Sequence, residues 1–190
     1  MTEKEKMLAG LPYLSRDPEL IEMYHRAREL MRAYNTLNSR NLAERERLLT
    51  ELLGFKGPGV WIETPFLCDY GENLSIGANT FVNANCMLID NNRIEIGENC
   101  LIAPYVQMYT ASHPLKAEER IIHDEFGTRY LTSAQPIKVG NQVWVGGNTV
   151  IFPGVTIGDN VTIGSGSVVT KDLPSNVLAY GNPCQVIKEL

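Results

Sequence analysis

Branched or large aliphatic residues recur at every sixth position between residues 136 and 171. The register consists of Val139, Val145, Ile151, Ile157, Ile163 and Val169, and four of these are followed directly by glycine. A period of six fits neither the roughly 3.6-residue turn of a helix nor the spacing of about 8 to 12 residues between sandwich turns. It is typical of a β-helix, in which each repeat is one short strand and a turn.

The same register can be followed upstream, but it is interrupted twice. It runs through Ile76, Val82, Leu88, Ile96, Ile102 and Met108. The step after Leu88 is eight residues instead of six, so two residues around 90–92 are expected to bulge out of the coil. After Met108 the repeat disappears, and the segment 109–136 is too polar to lie inside the coils. A loop this long is typical of a functional arm or lid.

The first 55 residues have a helical pattern instead. Asp17 followed by Pro18 is typical of a helix start, and apolar residues then recur at helical spacing as far as Tyr34. A second helix is predicted after Asn41, with Gly54 as its stop. These two helices are expected to cap an open end of the β-helix, whose terminal strands would otherwise be exposed.

These patterns divide the chain into three parts and predict a mainly β fold. Residues 1–55 form the N-terminal helical extension, residues 56–183 the β-helix domain with an extruded loop at 109–136, and residues 184–190 a C-terminal segment.

Composition and charge place the chain among soluble globular proteins. It has 190 residues, 44% of them hydrophobic, and a formal net charge of −5. The acidic balance argues against nucleic acid or an anionic membrane as the main partner. The first residues lack the apolar core of a signal peptide, and no run is long enough to span a membrane, so a cytoplasmic location is expected. The cysteines are far apart and have no CxxC pair, which favours reduced thiols: Cys68, Cys86, Cys100 and Cys184.

Four residues stand out as candidates for chemistry. His113 lies where the repeat breaks and is followed by proline, and histidine suits a general base near neutral pH; the alternative is a loop histidine bonded to a carbonyl. Asn83 follows a short strand. An asparagine there either contacts a ligand or only makes hydrogen bonds to the turn of an adjacent coil. Asp69 precedes Tyr70-Gly71 and would bind a hydroxyl-rich ligand or cap a turn. Trp144 alternates outward from its valine neighbours and exposes an aromatic face.

Several motifs resemble those of one enzyme family. They are Glu5-Lys6-Met7-Leu8-Ala9-Gly10, Phe81-Val82-Asn83-Ala84-Asn85, Ala111-Ser112-His113-Pro114, Val143-Trp144-Val145-Gly146-Gly147, Pro153-Gly154-Val155-Thr156-Ile157-Gly158, Val169-Thr170-Lys171-Asp172 and Gly181-Asn182-Pro183. The sequence is similar to the maltose/galactoside O-acetyltransferase group of the hexapeptide-repeat acyltransferases over nearly its whole length. The repeats alone would indicate only the superfamily, whereas the N-terminal segment and the His-Pro motif make the match specific.

This resemblance implies a left-handed parallel β-helix of triangular section that assembles as a homotrimer with active sites between subunits. The implied reaction transfers acetyl from acetyl-CoA to a sugar hydroxyl and needs no metal ion. His113 takes the position of the catalytic base. Asn83 takes that of the asparagine at the reacting centre, and the backbone N–H of Gly147 matches a second position that meets the oxyanion.

The resemblance also implies binding sites for both substrates. The coenzyme would contact Trp144, Gly147, Ser165, Thr170 and Lys171. Gln185 and Lys188 stand where close relatives have two arginines. A guanidinium group that could bind a phosphate through two hydrogen bonds is therefore lost. The acceptor would contact Asp69, Asn83 and Asn91. Ser15 replaces an aspartate of the galactoside enzymes, which favours a maltose or glucose acceptor, and the loop after His113 is longer than usual.

Three alternatives remain open from the sequence. The acceptor could be a galactoside, or the chain could be a binding or structural β-helix without catalysis. A zinc carbonic-anhydrase-like enzyme would need three histidine ligands supplied by the coils. The chain has only His25, His113 and His123, of which His113 alone is well placed.

Overall fold

A computed structural model of the protein describes residues 1–125 and 127–190, and three parallel sheets dominate it. With strands numbered along the chain, sheet 1 contains β1 (Phe55–Lys56), β4 (Leu74–Ile76), β7 (Ile94–Ile96), β14 (Ile137–Val139) and β17 (Thr156–Ile157). Sheet 2 contains β2 (Trp61–Ile62), β5 (Phe81–Val82), β8 (Leu101–Ile102), β15 (Trp144–Val145), β18 (Thr162–Ile163), β20 (Val177–Gly181) and β21 (Cys184–Glu189). Sheet 3 contains β3 (Phe66–Cys68), β6 (Cys86–Ile89), β9 (Gln107–Tyr109), β16 (Val150–Ile151) and β19 (Val168–Val169).

Successive strands along the chain belong to sheets 1, 2 and 3 in turn, so the chain winds as a β-helix. Each strand pairs in parallel with its counterpart in the next coil, for example Val139 with both Ile96 and Ile157. Within the described strands of these three sheets, β21 is the one that runs antiparallel, folding back on β20 at the last coil. The predicted mainly β architecture is therefore confirmed.

The six-residue register forms the core of the coils. Its six members between Val139 and Val169 are all buried, with exposed fractions of 0 to 4%. The upstream members from Ile76 to Met108 are buried as well. Each buried aliphatic side chain contributes about 1.5 to 3 kcal/mol, so the repeat supplies a large part of the packing energy of the coils together with other buried residues such as Ile137, Val143 and Val161.

Corners of the coil are turned by residues with a left-handed backbone. Asparagine takes this conformation at Asn79, Asn85, Asn99, Asn148, Asn160 and Asn176, each three residues after an inward-pointing aliphatic residue. Asparagine tolerates positive φ better than other non-glycine residues. Its amide also bonds to the next coil, as between Asn160 Nδ2 and Asn176 Oδ1 at 2.9 Å.

Three helices precede the coils, one more than the sequence pattern predicted. They are α1 (Glu3–Leu8), α2 (Pro18–Thr36) and α3 (Leu42–Leu52). The missed helix α1 begins at a capping box, in which Thr2 and Glu5 satisfy each other's backbone N–H groups. None of the described helices is both long and apolar enough to cross a bilayer.

The helices cover the first coil, as expected. Asn35 of α2 accepts from the backbone N–H of Phe66 and donates to its carbonyl, both at 2.9 Å. Arg45 of α3 donates to the Ile62 carbonyl at 2.7 Å and lies 4.5 Å from the centre of the Trp61 ring. The backbone groups of the first strands are thus partnered by helical side chains, which prevents further strand pairing.

An arm leaves the coils between β9 and β14, where the extruded loop was predicted. Its base is the antiparallel pair of β10 (Ala111–Ser112) and β13 (Ser133–Ala134). Beyond the base come α4 (Ala117–Arg120) and the hairpin of β11 (Ile121–Asp124) and β12 (Gly127–Tyr130). Residue 126 of the predicted loop lies outside the described residues.

The extra residues of the eight-residue step lie in the turn between β6 and β7 and are covered by other parts of the chain. Asp90, Asn91 and Asn92 are 0, 8 and 1% exposed. They are buried because the N-terminal segment and the base of the arm lie over them. Asn92 Nδ2 donates to one carbonyl of each, Met7 at 3.0 Å and Ala134 at 3.0 Å.

The four cysteines are free and buried, in agreement with the prediction of reduced thiols. Burial raises the pKa of the Cys86 thiol to about 11, which keeps it protonated at neutral pH. It acts as a small apolar core residue.

Candidate active site

The predicted site residues lie on two different edges of the β-helix. Every coil passes from sheet 1 to sheet 2 to sheet 3, and the turns stack into three edges. Edge 2–3 consists of turns such as 83–85, 146–148 and 164–166, and therefore carries Asn83, Gly147 and Ser165. Edge 3–1 consists of turns such as 69–73, 90–93 and 170–172, together with the arm. It therefore carries Asp69, Asn91, His113, Thr170 and Lys171.

His113 follows β10 at the base of the arm, and its ring is held in one orientation. Its Nδ1 lies 2.8 Å from the backbone carbonyl oxygen of Leu131. Because a carbonyl can only accept, Nδ1 carries the proton, and in the neutral ring Nε2 keeps its lone pair. The side chain is exposed in a cleft of about 180 Å³ that Pro12, Pro114 and Thr132 also line. This arrangement can accept a proton from a bound hydroxyl group.

Arg120 of α4 is hydrogen-bonded to the two backbone segments that meet at the His113–Leu131 contact. Its Nη1 donates to the carbonyls of Pro114 and Leu115, each at 3.2 Å. Its own carbonyl accepts from the N–H of Leu131 at 2.8 Å, and the Leu131 carbonyl in turn holds His113. Sequence reasoning missed both Leu131 and Arg120, because these contacts join residues of a segment without periodicity.

The N-terminal segment is joined to the arm beside this cleft. Tyr13 pairs with Thr132, its N–H donating to the Thr132 carbonyl at 3.0 Å. Asn92 holds the same assembly from beneath, since its Nδ2 also lies 3.3 Å from the Leu8 carbonyl and its Oδ1 accepts from the N–H of Arg93 at 2.8 Å. The turn at residues 90–92, where the repeat is lengthened, therefore helps to hold the arm that carries His113.

Asp69 and Asn91 belong to a half-buried polar cluster on edge 3–1. The Asp69 carboxylate lies 3.1 Å from the Arg28 guanidinium and is 23% exposed. Burial raises the pKa of Asp69, although the Arg28 guanidinium and the Asn91 amide oppose this shift. The same Asn91 amide lies against Tyr13 and Tyr70, whose hydroxyl pKa values are raised by burial. The Asp69 carboxylate is thus partly exposed, whereas Asn91 is only 8% exposed.

Asp90 is a buried acid that sequence reasoning did not single out. Its carboxylate accepts from the backbone N–H groups of Asp69 at 2.9 Å, Tyr70 at 2.8 Å and Asn73 at 3.3 Å. Burial raises its pKa to about 7, against the effect of these hydrogen bonds. It fixes the turn that presents Asp69.

Asn83 and Gly147 present hydrogen-bond donors on edge 2–3. The Asn83 Oδ1 accepts from the N–H of Ala84 at 2.8 Å. Its Nδ2 has no acceptor among the described residues and is free to donate. A Cβ added to Gly147 would lie 3.1 Å from the Pro104 carbonyl oxygen, so a larger residue there would crowd the backbone of the neighbouring coil.

The remaining coenzyme candidates are divided between the two edges. Trp144 points outward from sheet 2 and is 54% exposed, as predicted. Gln185 and Lys188 lie on β21 of the same sheet, opposite Tyr180 and Leu178. Ser165 is exposed on the adjoining edge 2–3, whereas Thr170 and Lys171 are exposed on edge 3–1. Within one chain the geometry does not bring these two groups together.

Comparison with known proteins assigns the family. Residues 6–57 match the maltose acetyltransferase hexapeptide capping motif, and residues 136–171 match six repeats of the bacterial transferase hexapeptide. Galactoside O-acetyltransferase of Escherichia coli K12 is 40% identical over 190 residues, covering 100% of this chain and 90% of the relative. The chain belongs to the maltose/galactoside O-acetyltransferase group.

Solved structures of other hexapeptide acetyltransferases share the whole fold of this acetyltransferase. A maltose O-acetyltransferase from Clostridium difficile 630 has a TM-score of 0.93 and 45% identity, covering 100% of this chain and 98% of that chain. A hexapeptide-repeat acetyltransferase from Vibrio cholerae O1 biovar eltor, complexed with acetyl coenzyme A, has a TM-score of 0.87 and 36% identity. It covers 100% of this chain and 99% of that chain.

The histidines of this acetyltransferase do not converge on one point. His25 lies on α2, and His123 on β11 places its Nδ1 3.1 Å from the Thr128 hydroxyl. In the described part of the chain, no group of three or more His, Cys, Asp or Glu residues has a geometry that could hold a metal ion. The zinc-enzyme alternative therefore gains no support from the arrangement of these side chains.

Proposed function

We propose that this acetyltransferase moves acetyl from acetyl-CoA to a hydroxyl group of a sugar, with His113 as general base. The observation that carries the proposal is the contact of His113 Nδ1 with the Leu131 carbonyl. It favours the neutral tautomer in which Nε2 can accept a proton, on a ring that lines an open cleft. A positioned base contributes roughly 10²- to 10⁴-fold to the rate.

The transfer proceeds directly between the two substrates. Nε2 of His113 removes the hydroxyl proton as the sugar oxygen attacks the thioester carbonyl carbon. The oxyanion that forms accepts hydrogen bonds from Asn83 Nδ2 and the N–H of Gly147, each worth about 3 kcal/mol in the transition state. Collapse of the tetrahedral intermediate breaks the carbon–sulfur bond, and the imidazolium returns its proton to the CoA thiolate. These steps use no metal ion and no covalent acyl-enzyme.

The active unit is proposed to be a homotrimer. His113 lies on edge 3–1 and Asn83 on edge 2–3, so the two meet only if edge 3–1 of one subunit faces edge 2–3 of its neighbour. The outer face of sheet 2 supports such packing, because Trp61, Leu101 and Trp144 lie in register along it and are 36, 53 and 54% exposed. A continuous apolar face of this kind is typical of an interface.

The coenzyme is proposed to lie between these edges. Trp144, Gly147 and Ser165 of one subunit would follow the pantetheine arm, while Thr170 and Lys171 would approach the nucleotide end from the other. Gln185 and Lys188 stand on the same sheet as Trp144. The Lys188 ammonium cannot make the paired hydrogen bonds that an arginine makes to a phosphate, so we expect weak binding of the 3′-phosphate of CoA.

A maltose- or glucose-type acceptor is favoured. Asp69 lies on the edge that carries His113, and its partly exposed carboxylate can accept from sugar hydroxyls. Asn83 would contact the acceptor from the facing edge, and Asn91 would act mainly by holding Asp69. The galactoside acceptor is the alternative, and Ser15 in place of a carboxylate argues against it.

The test is release of CoA thiol from acetyl-CoA in the presence of maltose, glucose or a galactoside. His113→Ala should lose about 10²-fold or more in kcat while still binding CoA. His123→Ala is the matched control, because this second arm histidine is also exposed and its ring is hydrogen-bonded to the Thr128 hydroxyl rather than to the backbone near His113. Equal activity of the two variants would remove His113 from the mechanism. A wild-type protein that binds CoA but acetylates no sugar would favour a binding module.

A further inference from the structure

We propose that Arg28, in the helical cap formed by α1 to α3, is a positioning residue that acts on the acceptor through Asp69. Arg28 lies on α2, and Asp69 lies in the turn between β3 and β4 on edge 3–1. The inference rests on the proposed function, in which Asp69 accepts hydrogen bonds from sugar hydroxyl groups. It gives the cap a second role besides covering the first coil.

The Arg28 guanidinium joins the cap to this turn through two hydrogen bonds. Its Nη1 donates to the backbone carbonyl of Cys68 at 3.1 Å, and its Nη2 donates to Oδ1 of Asp69 at 3.1 Å. The guanidinium is planar and its N–H groups have fixed directions. One group therefore fixes both the backbone before Asp69 and the Asp69 carboxylate itself.

Arg28 is itself held in place on α2. Its Cζ lies 4.5 Å from the centroid of the Tyr24 ring, one helical turn earlier. A guanidinium over an aromatic face is attracted by the ring. The direction of the hydrogen bond to Asp69 is therefore set by two contacts of the cation, one with the ring and one with the Cys68 carbonyl.

Arg28 also influences the charge of Asp69. Burial raises the pKa of Asp69, and the nearby Arg28 guanidinium opposes this shift. The other groups that interact with Asp69 carry no positive charge: they are Asp90, Asn91, Tyr13 and Tyr70. Loss of the guanidinium should therefore raise the pKa of Asp69 further. A protonated carboxyl group is a weaker acceptor for a sugar hydroxyl than a carboxylate.

Arg28→Gln tests the proposal in the thiol-release assay with maltose, glucose and a galactoside. For the preferred acceptor we expect KM to rise about tenfold, with kcat and the KM for acetyl-CoA within about twofold of the wild type. Arg28→Lys keeps the charge and should recover part of the lost affinity. Arg32→Gln is the matched control, because it removes a charge from an exposed side chain one turn further along α2. It should behave as wild type.

A double-mutant cycle with Asp69→Asn shows whether Arg28 acts through Asp69. If it does, adding Arg28→Gln to Asp69→Asn should change the KM for the acceptor by less than about twofold. A further tenfold rise would mean that Arg28 acts independently, and the proposal would be wrong. If Arg28→Gln does not fold, the same cycle is measured with Arg28→Lys.

The pH dependence of acceptor binding provides a readout that loss of packing alone would not change. In calorimetry with maltose and a galactoside between pH 8 and pH 5, we expect the affinity of Arg28→Gln to begin falling at a higher pH than that of the wild type. His113 titrates in both proteins, so the difference between them reports on Asp69. Identical pH profiles would refute the effect of Arg28 on Asp69.

The two assays separate failure of this inference from failure of the proposed reaction. If a sugar binds in a manner that depends on Arg28 and Asp69 but is not acetylated, the reaction is wrong and the positioning role stands. If sugars are acetylated with an acceptor KM that neither residue affects, the reaction stands and the positioning role is refuted.

Discussion

Asn92→Asp tests whether one buried amide holds the histidine-bearing arm to the coils. The substitution keeps the shape of the side chain but replaces the Nδ2 donor with an oxygen. In the wild type, Nδ2 donates to the carbonyls of Met7 at 3.0 Å, Leu8 at 3.3 Å and Ala134 at 3.0 Å. A carboxylate at this position would face three carbonyl oxygens and offer none of them a proton.

The cost can be worked out from these contacts. A protonated aspartic acid can donate only one hydrogen bond, so at least two are lost, at about 1 kcal/mol each. Keeping the acid protonated at pH 7 costs about a further 4 kcal/mol, since its ordinary pKa is about 3.9 and each pH unit is worth about 1.4 kcal/mol. We therefore expect a loss of up to about 6 kcal/mol at pH 7 and up to about 3.5 kcal/mol at pH 5. Detachment of the N-terminal segment would limit both values.

Urea unfolding at pH 5 and pH 7 measures this loss, and limited proteolysis locates it. We expect new cleavage before Tyr13 and within the arm, together with a lower kcat, because Ala134 lies three residues from the Leu131 carbonyl that orients His113. Asn38→Asp is the matched control, since its exposed side chain accepts from the N–H of Arg40 at 3.0 Å and aspartate retains this role. A loss below about 1 kcal/mol at pH 7, which is less than two hydrogen bonds, or no difference between the two pH values, would refute the reasoning.

Two further predictions concern groups near the site. Arg120→Ala should lower kcat about tenfold with the KM for acetyl-CoA unchanged, because Nη1 no longer fixes the carbonyls after His113. Release of CoA thiol measures this effect, and a variant with wild-type kcat would contradict it. Because the pKa of Asp90 rises from 3.8 to about 7 on folding, the folded state holds a proton that the unfolded chain releases. The stability that this bound proton contributes is complete below about pH 4 and is lost as pH rises through about 7. Between pH 5 and pH 8 the free energy of unfolding of the wild type, measured in urea, should therefore fall by about 3 kcal/mol more than that of Asp90→Asn. Parallel pH profiles would contradict the assignment.

The coils could be predicted from the sequence because their contacts repeat. One buried residue every six positions specifies the strand, the turn and the neighbour above and below, as Val139 between Ile96 and Ile157 illustrates. The helical cap was predictable in part for the same reason, through the apolar spacing of α2. The helix α1 was missed, although its Thr2–Glu5 capping box is visible in the sequence.

The support of the site could not be predicted in this way. Contacts such as Arg120 with Leu115 or Asn92 with Met7 join segments that share no period, and only the folded arm and N-terminal segment bring them together. The eight-residue step at 90–92 marked a place of interest, but the repeat pattern could not show that other segments of the chain cover it. Three backbone segments meet there, so the extra residues became a buried anchor.

The division of the proposed active site between two edges carries the strongest consequence for function. A base without an oxyanion donor gives only part of the catalysis, since each contributes separately to the same transition state. His113 and Asn83 lie on edges that one chain cannot bring together, because the turn after sheet 2 and the turn after sheet 3 belong to different corners of every coil. An isolated subunit should therefore bind ligands weakly and turn over slowly even when fully folded. Mixing His113→Ala with Asn83→Ala subunits should then restore activity at those interfaces that combine the two intact residues, whereas activity confined to single chains would show no recovery.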